Sequence, residues 1–168
     1  MKLSLVLSTH DAQFQALTFK GDLDANVAKI AGWGYDGVEL AIRDPHMVDA
    51  ESLMRTIAAH ALGVPAIGTG QAWGEEGVSF TSDNPVVRAA AIERIKSHIP
   101  LAARLHAVII LGLIRGITPK GQTRAQSMAY LVAALQECTA AGAGVRFALE
   151  PLNRYETDLI HTVAEGLD

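Results

Sequence analysis

At 168 residues the chain is long enough for one domain with a real core and too short for two ordinary ones. Hydrophobic residues make up 49%, charged residues 19% and aromatics 5%, a balance that excludes a disordered chain. A net charge of −4 with scattered lysines and arginines argues against a nucleic-acid partner, and no apolar run is long enough to span a bilayer.

Leu3 to Leu7 reads as a first strand; it is broken by Ser4 and too short for a signal peptide, so the expected compartment is the cytoplasm. Thr9 to Gly21 is a polar connection. Asp22 or Asp24 then caps a helix carrying Leu23, Val27, Ile30 and Ala31 on one face, which ends at Gly32 and Gly34. Gly37 to Leu40 is a second strand. The next helix runs from about Asp49 to Leu62, with Leu53, Met54, Ile57, Ala58 and Ala61 at helical spacing and Gly63 closing it.

Val64 to Ile67 is a third strand, followed by a loop from Gly68 to Asp83 that is long enough to suggest function. Gly68-Thr69-Gly70 begins like a dinucleotide fingerprint, but Trp73 stands where the third glycine belongs and no helix is expected there. Asn84-Pro85 starts a helix that continues through Ile92, Ile95 and Ile99 toward Leu105, with a kink expected at Pro100. Ala107 to Leu111 is the fourth strand and Gly112 to Gln122 its outgoing loop. Thr123 caps a helix whose expected apolar stripe is Met128, Leu131, Val132, Leu135 and Cys138; the lone cysteine excludes an internal disulfide and a multi-cysteine zinc module. Val145 to Leu149, behind Gly142 and Gly144, is a fifth strand that stops on Glu150. Thr157 or Asp158 starts a last helix with Leu159, Ile160, Val163, Ala164 and Leu167 along one side, reaching Asp168.

Five strand-helix units in one order, without a linker, predict a single α/β domain over residues 1–168 with parallel strands and right-handed crossovers. Two architectures accept the string: an open doubly wound sheet, or the first five units of a (β/α)8 TIM barrel. Ser8 to Ala12 lacks the glycine-rich phosphate chemistry expected after the first strand of the former.

In either architecture ligands gather at the carboxyl ends of the strands. The polar residues there are His10 and Asp11, Glu39, Trp73 with Glu75 and Glu76, Arg115, and Glu150 with Glu156. Carboxylates joined by histidine without cysteine favour a divalent cation such as Mg, Mn or Co. Glu150 is equally readable as a metal ligand or base and as a strand-end carboxylate that caps a turn or pairs with Arg154. His60, His98, His106 and His161 read as surface or packing residues, and no His-Glu-x-x-His pattern exists.

Five phrases carry a family resemblance: Gly34-Tyr35-Asp36-Gly37-Val38-Glu39-Leu40, Gly68 to Gln71 with Trp73, Val78-Ser79-Phe80-Thr81, Leu111-Gly112-Leu113-Ile114-Arg115-Gly116, and Ala148 to Thr157. Together they resemble the xylose-isomerase-like barrel superfamily, most closely the sugar phosphate isomerases and epimerases, which include ketose 3-epimerases and hydroxypyruvate isomerase. Endonuclease IV is a DNA-repairing relative.

The resemblance implies a (β/α)8 barrel with a divalent metal (Mn, Mg or Co) and enediolate proton transfer on a small sugar or sugar phosphate. It makes Glu150 a metal ligand and one of two acid/base residues and Glu156 a contact to the sugar's end hydroxyl; Trp73, Arg115 and His10, at the other strand exits, are the further candidates for substrate binding. The family's remaining ligands, an aspartate, a histidine and a second glutamate, come from the sixth to eighth strands, which this chain does not contain. His161 stands where relatives usually have asparagine, and Trp33 where a smaller aliphatic residue is common.

Five barrel strands leave two open edges, so the chain is expected to be the amino-terminal portion of a longer barrel or a homo-oligomer that buries them. A catalytically silent fragment, stable as an oligomer, is the alternative reading. An endonuclease-type enzyme is the third, and the acidic balance weighs against it.

Overall fold

A computed structural model describes residues 1–12, 19–142 and 144–167. Strands β1 (Ser4–Ser8), β2 (Gly37–Ala41), β3 (Ala66–Gly68), β4 (Val108–Leu111) and β5 (Phe147–Leu149) form one parallel sheet in the order β1-β2-β3-β4-β5. Strict sequential order means that every crossover steps the same way. That winding curls toward a barrel and rules out the reversal of direction that defines a doubly wound sheet.

The helices are α1 (Leu23–Gly32), α2 (Ala50–Ala59), α3 (Gln71–Glu76), α4 (Pro85–Leu105), α5 (Arg124–Ala141) and α6 (Val163–Leu167), with 3-10 turns at Pro45–Met47 and Leu113–Arg115. Side chains alternate along each strand. Leu7, Val38, Leu40, Ile67, Ile109 and Leu111 are buried in the core shared with the helices. The alternate positions face the concave side, where the register sets Val6 beside Glu39, Ala41 beside Gly68, Gly68 beside Ile110 and Ile110 beside Ala148. Beyond the sheet, a parallel bridge links Leu7 to Phe19, and the Ser8 N–H donates to the Phe19 carbonyl at 2.9 Å. No described helix is long and apolar enough to cross a membrane.

Most helix starts follow their caps. Asp22 accepts from the Ala25 N–H, Asp49 from the Ser52 N–H and Asn84 from the Val86 N–H, and Thr123 forms a reciprocal capping box with Gln126. α4 continues through Pro100 to Leu105.

Three expectations need correction. The loop after β3 contains α3, closed by Gly77 at a left-handed φ of 70°. Buried Gln71, at the start of α3, donates to the Ser8 hydroxyl at 3.1 Å, a contact across the sheet that local sequence cannot signal. The last helix begins at Val163, because both expected caps are engaged elsewhere: the Thr157 hydroxyl donates to the Gly116 carbonyl and Asp158 accepts from the Thr118 N–H. Thr162 caps it instead, accepting from the Glu165 N–H at 3.2 Å; the expected end at Asp168 lies outside the described residues. In α5 the buried face is Ser127, Leu131, Ala134 and Cys138, while Val132 is 46% exposed. Small residues face α4 because the two helices approach closely, with the Cys138 thiol 4.0 Å from the Ile92 carbonyl.

At the opposite end of the sheet, Gly37 packs on the chain after α2. A Cβ there would lie 2.6 Å from the Gly63 carbonyl oxygen, which accepts the Val38 N–H at 2.9 Å. Because backbone cannot swing aside, Gly37→Ala is expected to cost about 1–2 kcal/mol, measured by urea unfolding; an unchanged midpoint would contradict this packing.

Candidate functional site

Two carboxylates occupy the concave side. Glu39 projects from the middle of β2, and Glu150 follows β5 one step beyond its last paired residue. Each lies beside a residue with no side chain: a Cβ on Gly68 would be 3.8 Å from Glu39 Oε1, and one on Gly112 would be 2.5 Å from Glu150 Oε2. Among the described residues, neither carboxylate takes a hydrogen bond or an ion pair. Burial pushes the Glu39 carboxyl above its usual range, and Glu150 adds to the effect. Glu150 keeps an exposed face, yet the protein around its carboxyl pushes it up as well; Arg115 opposes that shift and Glu156 adds to it.

The pairing of Glu150 with Arg154 that the sequence left open does not form. Arg154 lies over the Tyr155 ring at 5.0 Å and donates to its hydroxyl at 3.0 Å.

Trp73 and Glu156, expected together against a substrate, do line one open cavity of about 340 Å³, with Arg154, Tyr155 and Asp158. Glu156 accepts a hydrogen bond from the Asn153 amide. His10 is partly buried at the exit of β1, and its Nε2 has no hydrogen-bond partner among the described residues. Burial, aided by Arg43, holds its pKa below the usual histidine value.

Arg115 is in a different place from the one expected. It is 0% exposed and has no surface to offer a substrate. Its Nε donates to the Gly112 carbonyl at 3.0 Å, its Nη1 to those of Leu159 and Ile160 at 3.2 and 3.1 Å, and its Nη2 lies 3.5 Å from that of Leu111. The phrase Val78 to Thr81 serves the same turn: Thr81 Oγ1 lies 2.9 Å from the Arg115 carbonyl and 2.8 Å from that of Ile117.

Sequence reasoning missed an ion network on the rim. Arg43 meets Glu75 at 2.7 Å and Glu76 at 3.2 Å, while Arg94 of α4 meets Glu76 at 2.8 Å and Asp44 at 3.4 Å. Glu75 and Glu76 are therefore engaged in tying α3 to the exit of β2. The available signal was Arg43-Asp44 directly after a strand.

The resemblance implies a divalent metal at this rim. Among the described residues, no three histidine, cysteine, aspartate or glutamate side chains converge on a point that could hold one. Glu150 offers carboxylate oxygen of the kind Mg, Mn or Co prefers, but the described residues do not form a complete shell.

A family model described as "Xylose isomerase-like TIM barrel" matches residues 27–168. The chain belongs to that family. An L-ribulose 3-epimerase of Mesorhizobium japonicum is 30% identical over 165 residues, covering 96% of this chain and 54% of the relative. One from Methylomonas sp. is 32% identical over 167 residues, covering 90% of this chain and 55% of the relative. Among solved structures, a D-allulose 3-epimerase from Methylomonas sp. in complex with D-allulose superposes with a TM-score of 0.75 over 99% of this chain and 57% of that one. At 24% identity it speaks for the fold alone. An L-ribulose 3-epimerase structure, 28% identical, has a TM-score of 0.69 over 97% of this chain and 54% of that one. The chain thus spans about half the length of the xylose isomerase-like barrels it matches.

Proposed function

We propose that this chain supplies the first five β/α units of a sugar epimerase acting on a small free ketose, with Glu150 as a base at the carbon next to the carbonyl. The observation that carries the reading is Glu150 itself: a carboxylate at the open rim of a parallel sheet, with no hydrogen bond or ion pair among the described residues and with a raised proton affinity. A base so placed takes the proton of a C–H bond adjacent to a carbonyl, the electron pair moving into an enediolate; return of a proton from the opposite face gives the epimer. Trp73 offers an apolar wall and Glu156 a hydroxyl acceptor in the neighbouring cavity.

An unphosphorylated substrate is favoured because the arginines near the rim are engaged. Arg43 and Arg94 are in ion pairs, Arg115 is buried and Arg154 lies on Tyr155. A phosphate on this part of the rim would draw on cationic side chains, and the described ones there are already engaged. A divalent cation and the second acid/base residue belong, on this reading, to groups outside these 168 residues, since the described side chains do not complete a metal shell.

The incomplete metal shell and the two sheet edges, β1 and β5, favour a second reading, a catalytically silent homo-oligomer that buries those edges. One experiment separates the two: the chain is incubated with Mg²⁺ and free pentuloses and hexuloses in D₂O, and loss of the C3 proton signal is followed by NMR alongside sedimentation. Exchange supports the epimerase. A folded chain that exchanges no ketose proton withdraws the activity from these 168 residues taken alone and, if oligomeric, leaves the silent reading; a folded monomer counts against that one too.

A further inference from the structure

We propose that Arg115 is a positioning residue which, with Gly112, builds the seat for the Glu150 carboxylate. The inference rests on Glu150 being the working group proposed above.

The seat is a chain of contacts running from one buried cation to one exposed-edge anion. The Gly112 carbonyl accepts from both the Arg115 backbone N–H at 3.1 Å and its Nε at 3.0 Å. The adjoining Leu111 carbonyl accepts from the Glu150 backbone N–H at 3.2 Å, with Arg115 Nη2 at 3.5 Å. The guanidinium therefore faces the Leu111 and Gly112 carbonyls, while the Leu111 carbonyl also takes the Glu150 N–H and the open side of Gly112 meets the Glu150 carboxylate. A Cβ on Gly112 would lie 2.5 Å from Glu150 Oε2, so a side chain there would push the carboxylate out of this position. The other arm of the guanidinium holds the Leu159 and Ile160 carbonyls, so the same side chain ties the exit of β4 to the chain beyond β5.

Tethering alone does not explain the charge. Among the described residues Arg115 has no ion pair, and burying a cation without one is costly, whereas an apolar side chain could fill the space without that cost. From the guanidinium, these contacts lead through the Leu111 and Gly112 carbonyls to the acidic side chain of Glu150. The planar fork also matters: its donors are set in one plane and can span four carbonyls, which the single ammonium of lysine cannot.

The test uses the full chain without substrate, so it is independent of whether any ketose reacts. Gly112→Ala, Glu150→Asp, the double variant and Arg115→Lys are compared by the ¹³C resonance of the Glu150 carboxyl, with that of Glu39 as an internal control, and by thermal unfolding. Gly112→Ala is expected to shift the Glu150 resonance but not that of Glu39, and to lower the midpoint by about 2–4 °C. Glu150→Asp, one methylene shorter, is expected to restore the midpoint in the double variant. Arg115→Lys is expected to shift the Glu150 resonance as well. Additive losses in the double variant, a Glu150 resonance unmoved by Gly112→Ala, or one unmoved by Arg115→Lys would overturn the proposal; where Arg115→Lys does not fold, Arg115→Gln, which keeps a planar donor without the charge, is read in its place. Failure of the ketose exchange with an intact seat would instead withdraw the activity from these 168 residues taken alone and leave the seat standing.

Discussion

Replacing Glu150 by glutamine is expected to lower ketose proton exchange by roughly 10²–10⁴-fold while slightly raising thermal stability at pH 7. The activity half follows from isostery: the amide keeps the shape and cannot take a proton. The stability half follows from linkage. Glu39 and Glu150 both have folded-state proton affinities above the ordinary value of 4.5. The stabilisation that comes with those protons is fully present below about pH 4.5 and is lost as the pH rises through the raised folded values. Above the ordinary carboxyl value, ionising either group has to be done where the fold disfavours charge, and glutamine removes that cost. Glu39→Gln should give the larger gain, because Glu39 is the more enclosed of the two and Glu150 is partly compensated by Arg115. Midpoints measured at pH 7 and pH 4 check both halves: the gain appears at pH 7 and vanishes at pH 4. Equal gains at both pH values would mean that charge is not the cause, and wild-type exchange in Glu150→Gln would remove Glu150 from the chemistry.

The strands and their parallel sense were legible because the information is local, whereas their order, open between two architectures, came from the fold. Each apolar run between turn residues marks a strand, and a helix in every crossover forces parallel neighbours. The position of Glu150 was legible for the same reason, since it ends such a run. What the sequence could not show depends on contacts between distant segments. α3 contains two small turns' worth of polar and glycine-rich chain, Gln71-Ala72-Trp73-Gly74-Glu75-Glu76, with little helical signal; it is fixed by Gln71 on Ser8 and by Arg43 on Glu75 and Glu76. Thr157 and Asp158 look like helix caps, but the exit loop of β4 takes both oxygens. Arg115 misled for a more general reason. A charged residue after a strand is ordinarily exposed, and only the fold reveals four carbonyls gathered around one guanidinium. The role of Gly112 is invisible without coordinates, because glycine carries no mark of the side chain that rests against it.

Replacing His98 by leucine is expected to stabilise the protein and to flatten its acid limb. His98 lies on α4 and is 0% exposed, and neither ring nitrogen has a hydrogen-bond partner among the described residues. Each unmet buried polar group costs about 1–3 kcal/mol, and an apolar side chain of similar size removes that cost. The charged and titratable groups around it are Arg94 on its own helix and Asp44 and His46 on the turn packed against it; burial dominates and, with Arg94, pushes its pKa down to about 3. The sign follows: the unfolded chain binds a proton near 6.5 while the folded chain resists it, so the stability tied to neutral His98 is full above pH 6.5 and is lost as pH falls through about 3. The slope contributed in that window is on the order of 1.4 kcal/mol per pH unit. Glu39 and Glu150 act in the opposite direction over part of the same range, gaining stability as they protonate, so the wild-type profile contains two opposing limbs. His98→Leu removes one and Glu39→Gln the other. Urea unfolding at pH 8 and pH 5 is expected to show His98→Leu more stable at both, by the larger margin at pH 5. A loss at both would mean that the ring makes a hydrogen bond which the fold needs, and a margin equal at the two pH values would mean that His98 is not the group that sets the acid limb.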